Sequence, residues 1–302
     1  MKRRNFLYLS GLGGLGLALS NHYLTAGETT LNNATKESSP LLRFTALGDV
    51  GTGNQGQIAI SEVIKDYFQQ RPFALTLLTG DNIYENGEIE RIGAAFERPY
   101  RFLRQKSIPI YAVLGNHDVR TNNGRDQVNY PAFNMQGRYY TFSKSIVQFF
   151  ALDTNENASW SEQLLWLEKS LARSTATWKV VFGHHPLYSS GVHGSSSLLI
   201  EKLSPLFSRY GVQLYVNGHD HNYERTELIE GTTYLTCGAG AKTRPVGHSD
   251  WTANSEARLS FAAIDVYPQY LEIKGIGLGG EVFDRARVEN SYQNSRVKNP
   301  FW

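Results

Sequence analysis

The chain has 302 residues, of which 41% are hydrophobic and 19% charged, and its formal net charge is +2. This balance, without a basic tract, argues against a nucleic-acid partner. The single cysteine, Cys237, excludes an internal disulfide.

Residues 1–26 predict an export signal. Lys2-Arg3-Arg4 precedes a glycine-rich apolar stretch from Phe6 to Leu19, which is shorter than the roughly 20 apolar residues needed to cross a bilayer. The arginine pair followed by Phe6-Leu7 resembles a twin-arginine signal, which directs bacterial export to the periplasm or outside the cell and leaves no stable membrane anchor. An ordinary secretory signal and an uncleaved anchor are the alternatives.

The rest of the chain is interpreted as a linker and one domain. Residues 27–40 are rich in Thr, Asn and Ser and predict a flexible linker. Residues 41–302 suit a single domain with a large core, although their length could also hold two domains. Its tail from about residue 290 has no recognisable pattern.

Five clusters of polar residues beside glycine follow apolar runs along this domain. Such runs, rich in β-branched and aromatic residues, predict buried strands with loops at their carboxyl ends. We expect the five loops to meet at one rim, where open α/β sheets place their sites. The clusters are Gly48-Asp49, Gly80-Asp81-Asn82-Ile83-Tyr84, Gly115-Asn116-His117-Asp118, Gly183-His184-His185-Pro186 and Gly218-His219-Asp220-His221.

The periodicity of the sequence predicts an α/β fold with mixed strands. Helices are predicted at Gln55–Gln70, Glu88–Leu103, Ser161–Arg173 and Ser196–Tyr210. Further strands are predicted at Tyr139–Phe142, Val147–Leu152, Thr233–Thr236, Phe261–Val266 and Tyr270–Lys274. Several gaps between strands have hairpin length, so the strands cannot all be parallel.

Ser159 and Glu162 match a capping box. Residues 243–257 predict a long polar loop, which either lines a substrate entrance or is plain surface.

The donor atoms of the five clusters indicate two metal ions, although no residue is persuasive by itself, because a lone buried histidine or Gly-Asp turn is usually structural. Carboxylate and phenolate oxygens are hard donors and imidazole is intermediate, while Cys237 lies outside every cluster, which excludes thiolate-rich zinc and iron–sulfur sites. There are too many donors for one tetrahedral ion. If Asp81 bridges, one ion takes Asp49, Tyr84 and His221, and the other takes Asn116, His184 and His219. Two ions about 3.5 to 4 Å apart steady the attacking and leaving oxygens of a phosphoryl displacement.

At these clusters the chain resembles the calcineurin-like metallophosphoesterases, and within them the small, tartrate-resistant type of purple acid phosphatase. The broad family usually begins Asp-x-His, whereas Asp49-Val50-Gly51 lacks the histidine. Tyr84, three residues after Asp81, takes its place in the form typical of purple acid phosphatases. The resemblance runs from about Leu42 to about Arg287.

This resemblance implies two mixed β-sheets packed face to face, with helices on the outer faces. It implies Fe(III) held by Tyr84, with a coloured charge-transfer band, and a second divalent ion of Fe, Zn or Mn. A tyrosine merely packed on a loop is the alternative for Tyr84. The implied activity is acid hydrolysis of small phosphomonoesters by in-line attack of metal-bound hydroxide.

Two histidines are candidate catalytic residues under the same resemblance. His117 would donate a proton to the leaving group or bind phosphate, unless it only positions Asn116. His193 takes the place of a second substrate-facing histidine, with a plain surface histidine as the alternative. His185, where family members often carry tyrosine, is interpreted as lining the pocket.

Three aspartates are candidates for supporting these side chains. Asp118 would orient or charge His117. Asp153 and Asp220 would accept the free N–H of a ligand imidazole.

Three function classes follow from the sequence. An acid phosphomonoesterase is favoured. A phosphodiesterase or nucleotide hydrolase on the same metals comes second, since pocket walls alone distinguish the two. An inactive metal- or phosphate-binding protein comes last, because every expected ligand and His117 are present. The sequence makes no prediction of oligomeric state.

Overall fold

The structure is a computed structural model that describes residues 39–290. The predicted signal, residues 27–38 of the linker and the tail after residue 290 lie outside the described residues. Within residues 39–290 the helices are α1 (Gln55–Gln70), α2 (Arg101–Gln105), α3 (Arg125–Val128), α4 (Trp160–Arg173) and α5 (Ser197–Tyr210). The strands are β1 (Leu42–Leu47), β2 (Leu75–Leu78), β3 (Ile110–Ala112), β4 (Tyr140–Lys144), β5 (Val147–Ala151), β6 (Trp178–Phe182), β7 (Leu214–Asn217), β8 (Tyr223–Thr226), β9 (Thr233–Cys237), β10 (Thr252–Glu256), β11 (Ser260–Val266), β12 (Tyr270–Gly277) and β13 (Val282–Glu289).

The strands form two mixed sheets. The six-stranded sheet has the order β13-β12-β11-β1-β2-β3, in which β1, β2 and β3 are parallel and β11 to β13 antiparallel to their neighbours. The seven-stranded sheet has the order β10-β8-β9-β7-β6-β5-β4, and its central strands β5, β6, β7 and β9 are parallel. Parallel strands present their carboxyl ends at one edge, so each sheet has an edge at which several loops open.

The sheets pack face to face around a shared apolar core. One buried cluster contains Phe44 of β1 and Phe149 of β5, whose rings meet edge to face at 5.2 Å between centroids. A second cluster lies between the six-stranded sheet and α1, and a third between the seven-stranded sheet and helices α4 and α5. The expected sandwich of two mixed sheets with outer helices is therefore confirmed.

Buried apolar faces and end caps explain why the outer segments form helices. In α1, Ile60 and Ile64 are buried, and Asn54 caps the helix by accepting from the Gln57 N–H at 2.9 Å. Burying each isoleucine stabilises the fold by about 1.5 to 3 kcal/mol. Helix α5 ends at Gly211, whose φ of 64° is the left-handed conformation that glycine adopts most readily.

Three predictions of local structure are wrong. The single helix predicted over Glu88–Leu103 is divided into a 3₁₀ turn (Ile89–Arg91), a π turn (Gly93–Glu97) and α2. Pro99 cannot donate a helical hydrogen bond, which explains the break between the π turn and α2. The predicted polar loop over residues 243–257 contains β10, which pairs with β8. The Ser159 side chain makes no capping hydrogen bond, although α4 forms as predicted.

Among residues 39–290, no helix combines the length and apolar character needed to span a membrane.

Candidate metal centre

The predicted ligands lie at the ends of five parallel strands drawn from both sheets. Asp49, Asp81 and Asn116 follow β1, β2 and β3 of the six-stranded sheet, and His184 and His219 follow β6 and β7 of the other. The sheets are tied together there by backbone hydrogen bonds such as Gly48 N–H to the Cys237 carbonyl, 2.9 Å. The candidate centre therefore spans the edge of the sandwich.

Three of these residues have a backbone conformation that non-glycine residues seldom adopt. The φ angles are 59° at Asp49, 52° at Asp81 and 72° at His219. Each left-handed residue costs roughly 1 to 3 kcal/mol, which the surrounding fold must offset. Such strain is typical of functional sites, because it points a side chain where an ordinary turn would not.

Asp49, Tyr84 and His221 form a compact set of donors that we call the tyrosine triangle. Tyr84 Oη lies 3.2 Å from Asp49 Oδ1 and 3.2 Å from His221 Nε2, and His221 Nε2 lies 3.3 Å from Asp49 Oδ1. All three side chains are buried.

Asn116, His184 and His219 form a second set, the amide triangle. Asn116 Oδ1 lies 3.0 Å from both His184 Nε2 and His219 Nδ1, and these two nitrogens are 3.2 Å apart. Asp81 lies between the triangles, with Oδ1 3.6 Å from His184 Nε2. Asp81 also lies close to Asp49. One ligand atom from each of Asp49, Asp81 and His184 lies within 4.8 Å of the other two.

The spacing of both triangles suits metal ions. Nitrogen and oxygen ligands lie about 2.0 to 2.2 Å from a zinc-sized ion, so neighbouring ligands at tetrahedral or octahedral angles are about 3.0 to 3.5 Å apart. The sides of both triangles, 3.0 to 3.3 Å, fall in this range. The residues present therefore fit two ions, and Asp81 lies between the two sets of donors.

The electrostatics of the centre also favour a bound cation. Burial, followed by the charge of Asp81, raises the pKa of Asp49 to about 8 against the influence of His184. Burial and the two neighbouring aspartates hold the pKa of the Tyr84 phenol far above its usual range. Burial and then Arg244 lower the pKa of His221 to about 4, and burial with the neighbouring histidines lowers that of His219 still further. A metal ion would reverse the shifts at Asp49 and Tyr84 by favouring ionised oxygens, while the lowered pKa values of His221 and His219 already favour the neutral imidazoles that bind it.

A backbone carbonyl fixes the ring of His184. The Nδ1–H group of His184 donates to the Thr79 carbonyl at 2.8 Å, so Nε2 is the unprotonated nitrogen that faces Asn116 and Asp81. Ligand histidines in proteins are commonly held this way.

The prediction that Asp118 orients His117 is wrong. Asp118 is fully buried and accepts from the backbone N–H groups of Gly115, Asn82 and Ile83 at 2.8 to 3.1 Å. Its side chain thus ties the loop after β2 to the loop after β3 and positions Asp81 between them.

The roles predicted for Asp153 and Asp220 are also wrong. Within residues 39–290, Asp153 accepts from Arg138 and Asn155, not from an imidazole. Asp220 accepts from the Ser189 hydroxyl at 2.5 Å and from the His193 backbone N–H at 3.0 Å, so it shapes the loop that carries His193.

His117 lies at the rim beside the two carboxylate-bearing loops. Its Nδ1–H group donates to the Glu85 carbonyl at 2.6 Å, while Nε2 lies 3.9 Å from Asp81 Oδ2. Arg120, which no sequence pattern indicated, has Nη2 3.4 Å from the same Nε2. Because Nδ1 is held by the Glu85 carbonyl, a proton given to a leaving group would leave from Nε2, and Arg120 must then turn away, since a guanidinium can only donate.

His193 lies over His219, with 4.2 Å between ring centroids. Its Nε2 accepts a hydrogen bond from Arg244 Nη1 at 2.5 Å. Arg244 was also missed. The sequence shows a glycine-rich stretch at the end of β9, but the parallel pairing of β9 with β7, which opens the following loop on the same rim, is seen only in the structure.

The comparison with known proteins agrees with this arrangement. The family model of the calcineurin-like phosphoesterases matches residues 42–223. The chain is 30% identical to human tartrate-resistant acid phosphatase type 5, over 83% of this chain and 92% of the human one. The chain belongs to the calcineurin-like phosphoesterase family, and its curated relatives include tartrate-resistant and purple acid phosphatases.

Solved structures show the same fold. GAP50, the anchor in the inner membrane complex of Plasmodium, is 25% identical, with a TM-score of 0.72 over 82% of this chain and 88% of GAP50. The purple acid phosphatase PPD1 from yellow lupin seeds is 19% identical, with a TM-score of 0.71 over 83% of this chain and 54% of the lupin chain.

Proposed function

We propose that this protein is a dinuclear-metal acid phosphatase that hydrolyses small phosphomonoesters. The observation that carries the proposal is the pair of donor triangles joined by Asp81, in a chain whose relatives are acid phosphatases. The tyrosine triangle would hold Fe(III) through Tyr84, and the amide triangle would hold a divalent Fe, Zn or Mn ion. When bound, the ions would activate water and offset charge on the phosphoryl oxygens.

The chain's own residues complete the site around the phosphoryl group. His117 is placed to give the proton on Nε2 to the leaving oxygen, with its ring held by the Glu85 carbonyl. Arg120 and Arg244 bring positive charge to the two sides of the centre through their contacts with His117 and His193. Two flanking guanidinium groups favour a dianionic monoester over a monoanionic diester.

The substrate class is tested by assaying the iron- and zinc-reconstituted protein from acid to alkaline pH. We expect phenyl phosphate to be hydrolysed much faster than bis-phenyl phosphate, with an acidic optimum. A preference for the diester at alkaline pH would favour the phosphodiesterase alternative.

The same assay addresses the inactive alternative, which GAP50 illustrates by being described as an anchor. Full metal loading without hydrolysis of either ester would establish a binding protein. The control is His184→Ala, which removes a donor of the amide triangle and should abolish activity together with binding of the second metal.

We also propose that the protein is exported by the twin-arginine route. The support is the Arg3-Arg4 pair before a short apolar stretch. Replacing both arginines by lysine keeps the charge but removes the guanidinium groups, so we expect the precursor to stay in the cytoplasm. Unchanged export of the double lysine variant would indicate an ordinary secretory signal.

A further inference from the structure

His185 lies next to the proposed ligand His184, and so far it has been given no chemical role beyond lining the pocket. A ring nitrogen of His185 lies within 4.8 Å of ligand atoms of both His184 and His219, and the rings of His185 and His219 are 4.5 Å apart. By distance alone, the three histidines form another candidate metal group. The hydrogen bonds of His185 decide whether it is a ligand.

Thr154 fixes which nitrogen of His185 carries the proton. The Thr154 hydroxyl oxygen accepts from the backbone N–H of His184 at 3.2 Å and from that of His185 at 2.9 Å. A hydroxyl has two lone pairs and one proton, so both acceptor positions are filled and its proton is left to donate. The remaining partner is His185 Nδ1, at 2.9 Å. Nδ1 is therefore the acceptor, and the ring is neutral with its proton on Nε2.

This protonated nitrogen has no partner among residues 39–290, since no group there accepts a hydrogen bond from His185 Nε2. The ring lines a cavity of about 290 Å³ that also borders His219 and His193, and the lining includes the apolar side chains of Trp160 and Leu198. The His185 backbone is held by the Tyr215 hydroxyl, which donates to its carbonyl at 2.8 Å. The ring is thus held at Nδ1 and through its backbone, next to His219 of the amide triangle.

We propose that His185 is a substrate-binding residue whose Nε2–H group donates a hydrogen bond to an oxygen of the phosphate bound at the amide triangle, and that Thr154 acts as its positioning residue. The proposal rests on the proposed phosphatase function. It excludes His185 as a metal ligand, because an imidazole nitrogen that carries a proton has no lone pair to give. It adds a donor from the side chains that line the cavity next to His219.

The tautomer is tested in the dizinc protein, which is diamagnetic, by two-bond ¹H–¹⁵N correlation of the histidine rings. We expect His185 to show protonated Nε2 and unprotonated Nδ1, with its signals assigned by their absence in His185→Gln. The Thr154→Val variant lacks the hydroxyl and should lose the single-tautomer pattern, while Thr154→Ser should keep it. A proton on Nδ1 in the unaltered protein would overturn the proposal.

The contact with phosphate is tested by measuring the Kd of inorganic phosphate and the zinc content of the same proteins. We expect His185→Phe to keep two zinc ions and to weaken phosphate binding by about tenfold or more, as expected for a lost hydrogen bond to a charged group. His185→Gln offers an N–H group in its place and should recover part of the affinity. Thr154→Val should weaken binding, and Thr154→Ser should not.

The outcomes separate this proposal from the proposed function. Equal phosphate affinity in the unaltered and His185→Phe proteins contradicts the role of His185 alone. Loss of one zinc ion in His185→Phe shows a metal ligand and also overturns the proposal. If the unaltered dizinc protein does not bind phosphate, the proposed phosphatase function is wrong. The role of His185 is then wrong as well, because no bound phosphate oxygen accepts its hydrogen bond.

Discussion

The Tyr84 hydroxyl touches both other members of its triangle, at 3.2 Å from Asp49 and from His221. Tyr84→Phe removes this oxygen but keeps a buried ring of nearly the same volume, so the fold should persist. We expect the purified protein to be coloured and the variant to lose its visible absorption band, with an unchanged circular dichroism spectrum.

The matched control for this variant is Tyr100→Phe. The Tyr100 hydroxyl is buried without a hydrogen-bond partner among the described residues, so it does not belong to the centre. This variant should keep the colour. A colourless, iron-free protein isolated from its native host with full activity would contradict the tyrosinate assignment and leave the family assignment intact.

His117 allows a test of proton donation. If Nε2 donates to the leaving oxygen, His117→Ala should lower kcat by about 10²- to 10⁴-fold for alkyl phosphates, with a smaller loss for activated aryl phosphates. Metal content should not change, because the side chain stays outside both triangles. His248→Ala, at an exposed histidine, is the control and should behave as the unaltered protein. Equal losses for both substrate types, accompanied by metal loss, would instead show a positioning role.

At the scale of elements, the loops after β2 and β3 approach each other so closely that one of them needs a glycine. A Cβ atom on Gly115 would lie 2.2 Å from Asp81 Oδ1 and 2.4 Å from Asp81 N. Gly115→Ala should therefore displace the bridging carboxylate and weaken metal binding by about 10- to 100-fold, measured by competition with a chelator.

Gly93→Ala is the corresponding control, since the nearest atom to the new methyl group would be a Glu97 carboxylate oxygen at 3.9 Å. It should bind metal as tightly as the unaltered protein. Tight binding by Gly115→Ala would mean that the two loops separate without moving Asp81.

The strands that sequence patterns predict best are those buried on both faces. Strand β6 reads Trp-Lys-Val-Val-Phe and is buried throughout, so its apolar run and the glycine after it place His184 correctly. Strands β8, β10 and β13 were not predicted, and β10 and β13 lie at the edges of their sheets. Edge strands bury little side-chain area, and β10 reads Thr-Ala-Asn-Ser-Glu, so pairing with β8 rather than composition makes it a strand.

Contacts between loops account for the errors within the site. The seven predicted ligands converge because each follows a strand whose end is set by local sequence. The partners of Asp118 and Arg244 depend on how separate loops meet in three dimensions, for which the chain has no short-range signal. Asp118 stands next to His117 in sequence, yet it points to the loop after β2.

At the scale of the whole molecule, ligands from both sheets make metal binding a source of stability. An ion that binds only the folded state at 100 times its Kd adds about 2.7 kcal/mol. For a protein of this size this corresponds to a rise in Tm of about 5 to 10 °C. Removing the metals with a chelator should lower Tm by this amount, and adding them back should restore it.

His184→Ala serves as the control for this measurement, since loss of one amide-triangle donor should reduce the metal-dependent part of the shift. An identical Tm with and without metal would show that the ions do not bind the folded state in preference to the unfolded one.

The order of ligands along the chain sets when the centre can form during synthesis. The tyrosine triangle begins with Asp49 and is completed only by His221, so neither ion has its full donor set until more than two thirds of the polypeptide has been made. Strand β1, which precedes Asp49, lies between β2 and the late strand β11. The centre can therefore assemble only late in synthesis, after the chain has passed His221.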